Sequence, residues 1–115
     1  MDHMTPQQLA ARLQDTTLPA PLLLDVREMW EVGTAHIEGA TVVPMSGLAA
    51  RIEEVAGLQE GDDGIARQMI CICHHGARSM QVAAFLEKNG FENIVNLSGG
   101  IHAWSLQVDP SVPTY

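Results

Sequence analysis

Apolar residues along this chain fall into short continuous runs that alternate with segments of helical periodicity. Continuous runs of this length are typical of strands that are buried on both faces, as in a parallel sheet. Four such runs are present, at residues 22–26, 41–43, 69–72 and 94–97. Strands that alternate with helices predict an α/β fold with a mainly parallel central sheet.

Capping signals and apolar spacing place the predicted helices between these strands. Thr5, Pro6 and Gln8 have the order of an N-cap, a first helical residue and a capping box, so a helix is expected to start there. The other predicted helices cover residues 28–32, a segment capped by Ser46, residues 79–89 and a segment that follows Gly100. Residues 59–67 read as a polar loop, and the tail at 107–115 reads as irregular surface chain.

The length of 115 residues predicts one domain over 1–115, with a core at about 5–106. The formal net charge is -8, from 14 acidic and 6 basic residues, which argues against a nucleic-acid surface or an anionic membrane surface. No apolar run reaches the roughly 18 residues of a membrane span, and no secretion signal is recognisable. Cys71 and Cys73 lie too close along one strand for an ordinary disulfide. Reduced thiols favour a cytoplasmic location.

Cys73 lies between a buried strand and a helix, in a short loop that contains Gly76. Amide hydrogens of such a loop can form a nest for an anion, and the amino end of a helix adds partial positive charge. Arg78 adds a full positive charge close by. These effects favour the sulfur anion over the thiol, which predicts a nucleophilic or sulfur-carrying Cys73. Cys71 lies inside the apolar strand, where we expect a buried structural residue.

Two further groups are expected at the same edge of the sheet. Asp25 also follows a strand, and the carboxyl ends of parallel strands share one edge. We expect Asp25 and Arg27 to form a structural pair that braces the site. Adjacent histidines usually point apart and no third ligand is visible, so His74 and His75 are expected at the mouth of the site and not at a metal.

Four segments, in this order, resemble the single-domain rhodanese family: residues 23–28, 36–40, 73–79 and 96–104. The resemblance extends over roughly residues 5–106, with one small departure at Ala35, where the family often has glycine. It implies a three-layer rhodanese-like fold, with helices on both faces of the central sheet.

The resemblance also implies a sulfurtransferase reaction at Cys73. This cysteine would take sulfane sulfur from a thiosulfate-like donor as a persulfide and pass it to a thiol or to cyanide. Arg78 would hold an anionic donor, and Ser79 would open the helix. The residues expected to cradle the substrate are His74, His75, Gly76, Ala77, Arg78 and Ser79. No cofactor is expected for this exchange.

Two alternatives remain open at this stage. The same loop would serve a persulfide relay that feeds a protein partner. A cysteine loop with an arginine also binds phosphate, so a phosphatase or an arsenate reductase on the same fold is the weaker alternative. Only four residues separate Cys73 from Arg78, a shorter loop than in the related phosphatases, and this favours sulfur. No general acid for phosphate chemistry is evident.

Overall fold

The computed structural model describes residues 1–115 and contains one five-stranded sheet in which all neighbouring strands are parallel. The strands are β1 (Asp2–Met4), β2 (Leu22–Asp25), β3 (Thr41–Val42), β4 (Met69–Ile72) and β5 (Ile94–Leu97). Their order across the sheet is β1-β5-β4-β2-β3. The four predicted strands are confirmed, and the edge strand β1 was missed because two of its three residues are polar and exposed.

Six α-helices and one 3-10 turn connect and cover these strands. The helices are α1 (Pro6–Gln14), α2 (Met29–Thr34), α3 (Met45–Leu48), α4 (Ile52–Gln59), α5 (Ala77–Lys88) and α6 (Gly100–Gln107), with the 3-10 turn at Ala49–Arg51. None of these helices combines the length and the apolar character that a bilayer crossing would require.

Two apolar clusters fill the space on either side of the sheet, as the alternation of side chains along a strand requires. One contains Leu48 and Val55 from α3 and α4 and Val82 from α5. The other contains Leu9 from α1 and Ile101 from α6. Helices therefore cover both faces, and the predicted three-layer α/β architecture with a parallel central sheet is confirmed.

The helix starts show where capping signals were read correctly and where they were not. The box at α1 is present: Thr5 Oγ1 accepts from the Gln8 amide at 3.1 Å, and Gln8 Oε1 accepts from the Thr5 amide at 2.8 Å. The predicted cap at Ser46 is wrong, because α3 already begins at Met45 after Pro44. Pro44 is the N-cap, with an extended ψ of 139°, and the helix starts directly after it.

The chain after α6 also differs from its prediction. It is irregular, as expected, but it does not lie only on the surface. Val112 is buried in the second apolar cluster, and Tyr115 is half-buried beside the cysteine loop. A single apolar residue between two prolines gave too little periodicity to predict this contact.

Candidate active site

Cys73 directly follows β4, and its side chain belongs to the apolar cluster on the α5 side of the sheet. Only 1% of the residue is exposed. Its Sγ accepts a hydrogen bond from the Gly76 amide at 3.0 Å and lies 3.3 Å from Ser79 Oγ. A buried sulfur anion requires a hydrogen-bond donor, and the Gly76 amide supplies one.

The amino end of α5 lies at this sulfur. The helix begins at Ala77, two residues before the predicted start at Ser79, so Arg78 lies in its first turn and not in the loop. The reason is Gly76, which forms the N-cap with a left-handed φ of 104°. A Cβ at Gly76 would lie 3.1 Å from the Gly99 amide nitrogen, so glycine is needed here for both conformation and space. Ala77 itself is exposed.

The first turn of α6 holds the cysteine loop from the other side. The Ile101 amide donates to the Cys73 carbonyl at 2.9 Å, and the His102 amide donates to the His74 carbonyl at 3.0 Å. No peptide bond in the chain is cis, and in a trans peptide the N–H points opposite to the C=O. The amides of His74 and His75 therefore point away from α6.

The buried side chain of Asn96 on β5 fixes the position of Gly76 in the loop. Ser79 Oγ donates to Asn96 Oδ1 and lies 3.3 Å from the Gly76 carbonyl oxygen. Asn96 Nδ2 donates to the same carbonyl at 3.3 Å. Asn96 is only 3% exposed, so these bonds satisfy an amide that would otherwise be costly to bury. This role was not predicted for Asn96, although a polar residue within the apolar run 94–97 is a signal that could have indicated it.

Asp25 and Arg27 form a buried ion pair at the same edge of the sheet. Arg27 donates from Nη2 to Asp25 Oδ2 at 2.7 Å and from Nε to Asp25 Oδ1 at 3.0 Å. The guanidinium also donates to the Ala35 carbonyl at 2.7 Å and to the Tyr115 hydroxyl at 3.0 Å. In the sheet register, Asp25 lies opposite Ile72, next to Cys73. The pair thus links β2, the chain after α2 and Tyr115.

Arg78 is bound by a carboxylate that the sequence did not suggest. Its two terminal nitrogens donate to the two oxygens of Glu31 at 2.7 and 2.8 Å. These bonds from Arg78, opposed by burial and assisted by the Tyr115 hydroxyl, lower the pKa of Glu31 to about 2. The positive charge of Arg78 is therefore matched before any substrate binds, and its role toward an anionic donor stays a prediction.

The histidines of the loop do not point apart as predicted. The rings of His74 and His75 lie 4.0 Å apart, and His102 of α6 brings a third ring to within 4.9 Å of His75. The other face of His74 is stacked on Tyr115, at 3.9 Å and 5° between planes. Burial, together with the neighbouring His75, lowers the pKa of His74. The prediction that adjacent histidines point apart was wrong, because packing on Tyr115 and α6 decides the orientations of these rings.

Cys71 is buried, as expected. It has no exposed surface, and burial raises the pKa of its thiol to about 12. Both cysteines are free. The chain therefore holds one inert thiol inside the sheet and one thiol at a loop that offers donors to it.

Comparison with known proteins identifies relatives across most of the chain. A chloroplastic rhodanese-like/PpiC domain-containing protein 12 of Arabidopsis thaliana is 34% identical over 110 residues, which are 95% of this chain and 36% of that protein. A sulfurtransferase of Allochromatium vinosum is 31% identical over 105 residues, 91% of this chain and 89% of that protein. The putative sulfur carrier protein YrkF of Bacillus subtilis is 35% identical over 83 residues, 72% of this chain and 40% of that protein.

A solved structure and a family model agree with these relatives. The crystal structure of SSP1007 from Staphylococcus saprophyticus superposes with a TM-score of 0.77 at 27% identity, over 98% of this chain and 99% of that one. The chain spans only 36% of the length of its Arabidopsis relative. The sequence model of the rhodanese-like domain matches residues 5–107. This protein therefore belongs to the rhodanese-like domain family.

Proposed function

We propose that this protein is a sulfurtransferase or sulfur carrier in which Cys73 holds the transferred sulfur as a persulfide. The proposed donor is thiosulfate or a similar sulfane, and the acceptor is a thiol or cyanide. The reaction needs no cofactor, and a cytoplasmic location would suit it because the thiol must be reduced. The observation that carries the proposal is the 3.0 Å hydrogen bond from the Gly76 amide to Cys73 Sγ at the amino end of α5.

The chemistry consists of two displacements at sulfur. The Cys73 thiolate attacks the sulfane sulfur of thiosulfate, an S–S bond forms, and sulfite leaves with the electron pair of the broken bond. An acceptor thiolate then attacks the outer sulfur, and Cys73 leaves as a thiolate. In both steps negative charge sits on sulfur at the loop. The Gly76 amide and the amino end of α5 both stabilise such charge.

Family membership supports this reading, as does the loop length. Relatives with names that include sulfurtransferase and sulfur carrier match most of the chain. Four residues separate Cys73 from Arg78. A loop this short suits a single sulfur atom better than a tetrahedral phosphate, which disfavours the phosphatase and arsenate reductase alternatives.

A specific observation favours a protein acceptor as the second candidate function. Met29 and Trp30 of α2 are 63% and 69% exposed. Trp30 packs edge-on against Tyr115, with ring centroids 6.1 Å apart, and Tyr115 in turn stacks on His74. Exposed tryptophan and methionine are typical of protein contact surfaces. A partner that docks here would bring its thiol close to the cysteine loop.

Turnover with small molecules and transfer to a protein thiol separate these two functions. Thiocyanate formation from thiosulfate and cyanide is measured at steady state, and sulfur release from the loaded protein to a purified protein thiol is measured in a single turnover. Cys73→Ser is expected to abolish both, whereas Cys71→Ser serves as the matched control and retains both. Either activity surviving in folded Cys73→Ser would contradict the proposal. Fast single-turnover transfer with slow cyanide turnover would identify the carrier function.

A further inference from the structure

Three imidazole rings from two separate parts of the chain meet beside the cysteine loop. His74 and His75 come from the loop, and His102 comes from the first turn of α6. The ring centroids lie 4.0 Å apart for His74 and His75, 4.9 Å for His75 and His102, and 5.9 Å for His74 and His102. The 3.0 Å bond from the His102 amide to the His74 carbonyl fixes the two backbones against each other.

Two ring nitrogens of this cluster are buried and have no partner. Each histidine offers one nitrogen such that all three atoms lie within 4.8 Å of one another. His74 Nε2 and His102 Nδ1 are both shielded from solvent, yet neither has a hydrogen-bond partner within the protein. Leaving a buried polar atom unpaired is unfavourable. Two such atoms in one cluster indicate that a further group satisfies them.

The chemistry of the ligand atoms decides which cations the cluster suits. No carboxylate belongs to the cluster, so magnesium and calcium, which prefer oxygen ligands, do not fit. Imidazole nitrogens suit zinc, copper and nickel.

We propose that His74, His75 and His102 bind one divalent transition-metal ion of the zinc type through their ring nitrogens. Zinc binds imidazole nitrogen at about 2.0–2.1 Å, so the three nitrogens must move closer together than they lie now. His75 is exposed and has the freedom to turn its ring toward the other two. Three protein ligands leave a fourth position for water or another ligand. Cys73 is not among the ligands, so binding of the ion does not require the thiol.

Calorimetric titration of the tag-free protein with zinc chloride tests this site directly. The expected result is one ion per chain for the wild type, with affinity reduced at least about tenfold in His102→Ala, in line with the cost of disturbing a metal site. His36→Ala is the matched control, since His36 is 59% exposed and lies outside the cluster. Its affinity is expected to equal that of the wild type.

A second set of variants separates the histidine site from capture of zinc by the cysteine. Cys73→Ser is expected to bind zinc as the wild type does. Loss of binding in Cys73→Ser together with full binding in His102→Ala would overturn the proposal, as would the absence of any stoichiometric binding by the wild type. Should His102→Ala fail to fold, as judged by circular dichroism, His75→Ala decides the matter, because His75 is exposed. Unchanged affinity in folded His75→Ala would then overturn the proposal.

Discussion

At the scale of single residues, Cys71 and Cys73 lie two positions apart and are both almost fully buried, yet their sulfur atoms have different surroundings. Burial, with a smaller contribution from the neighbouring Cys73, raises the pKa of the Cys71 thiol to about 12. Cys73 Sγ receives the Gly76 amide and lies near Ser79 Oγ. Donors at the sulfur, and not depth, therefore decide which cysteine is suited to carry a charge.

The first prediction concerns Cys71. Cys71→Ala removes a sulfur from a packed core and is expected to lower the free energy of unfolding by about 1 kcal/mol, as for other small deletions in a core. Because the side chain makes no contact with substrate, sulfur loading of Cys73 is expected to be unchanged. Urea unfolding and loading by thiosulfate are the two measurements. Lost loading at an unchanged unfolding midpoint would contradict the structural role of Cys71.

At the scale of elements, two helix starts define the cysteine loop. Helix α5 begins beside the sulfur of Cys73, and amides in the first turn of α6 donate hydrogen bonds to the Cys73 and His74 carbonyls. The approach of α6 is close enough that only glycine fits at Gly100: a Cβ there would lie 2.4 Å from the His74 carbonyl oxygen and 2.5 Å from that of Cys73. The loop geometry therefore depends on a helix that follows the next strand along the chain.

The second prediction tests this support through Gly100→Ala. The new methyl group collides with backbone atoms, and the φ of 61° is unfavourable for alanine by about 1–2 kcal/mol. We expect lower stability and at least a several-fold slower loading of Cys73 with sulfur. Gly57→Ala in α4 is the matched control, because no atom lies within 4 Å of its new Cβ and helical alanine is favoured over glycine. Equal loading rates in both variants would argue against the role of α6.

The third prediction concerns the access of reagents to Cys73, a residue that is only 1% exposed. Tyr115 stacks on His74 and donates from its hydroxyl to Glu31 Oε2 at 2.8 Å, so it holds the chain segment over the loop. Tyr115→Ala is expected to speed alkylation of Cys73 by iodoacetamide several-fold, as followed by mass spectrometry. Tyr115→Phe keeps the stacked ring but loses the hydroxyl, so its alkylation rate is expected to lie between the rates of the wild type and of Tyr115→Ala. A rate in Tyr115→Ala equal to the wild-type rate would show that Tyr115 does not limit access.

At the scale of the whole molecule, the parallel sheet brings distant segments to one edge. Glu31 of α2, Arg78 of α5 and Tyr115 are far apart in sequence but form one hydrogen-bonded group beside the cysteine loop. This group joins helices from separate parts of the fold. Its ionisation therefore contributes to global stability and not only to the local shape of the site.

The fourth prediction is a pH dependence of stability that originates at Glu31. Its pKa is lowered from 4.5 to about 2 in the folded protein, so the stabilisation is complete above pH 4.5 and is lost as the pH falls toward 2. The free energy of unfolding of the wild type should exceed that of Glu31→Gln by up to about 3 kcal/mol near pH 6, and by little near pH 2. A difference between the two proteins that stays constant over this range would contradict the assignment.

The layered architecture, the strands β2 to β5 and the cysteine loop could be predicted from the sequence, because each of them carries a local signal. Apolar runs mark β4 and β5, and the order of Cys73 and Gly76 marks a strand, a tight loop and a helix start. The sequence was insufficient for Glu31, His102 and Tyr115. Their positions follow from how helices and the chain after α6 pack at the sheet edge, and no local pattern encodes that packing.

The central claim is that Cys73 accepts and carries sulfur, and intact-protein mass spectrometry after incubation with thiosulfate tests it most directly. The account predicts a mass gain of one sulfur atom, mapped to Cys73 by peptide analysis, removed by cyanide, and absent in Cys73→Ser. No mass gain in the folded wild type, or a gain that maps to Cys71 or persists in Cys73→Ser, would contradict it.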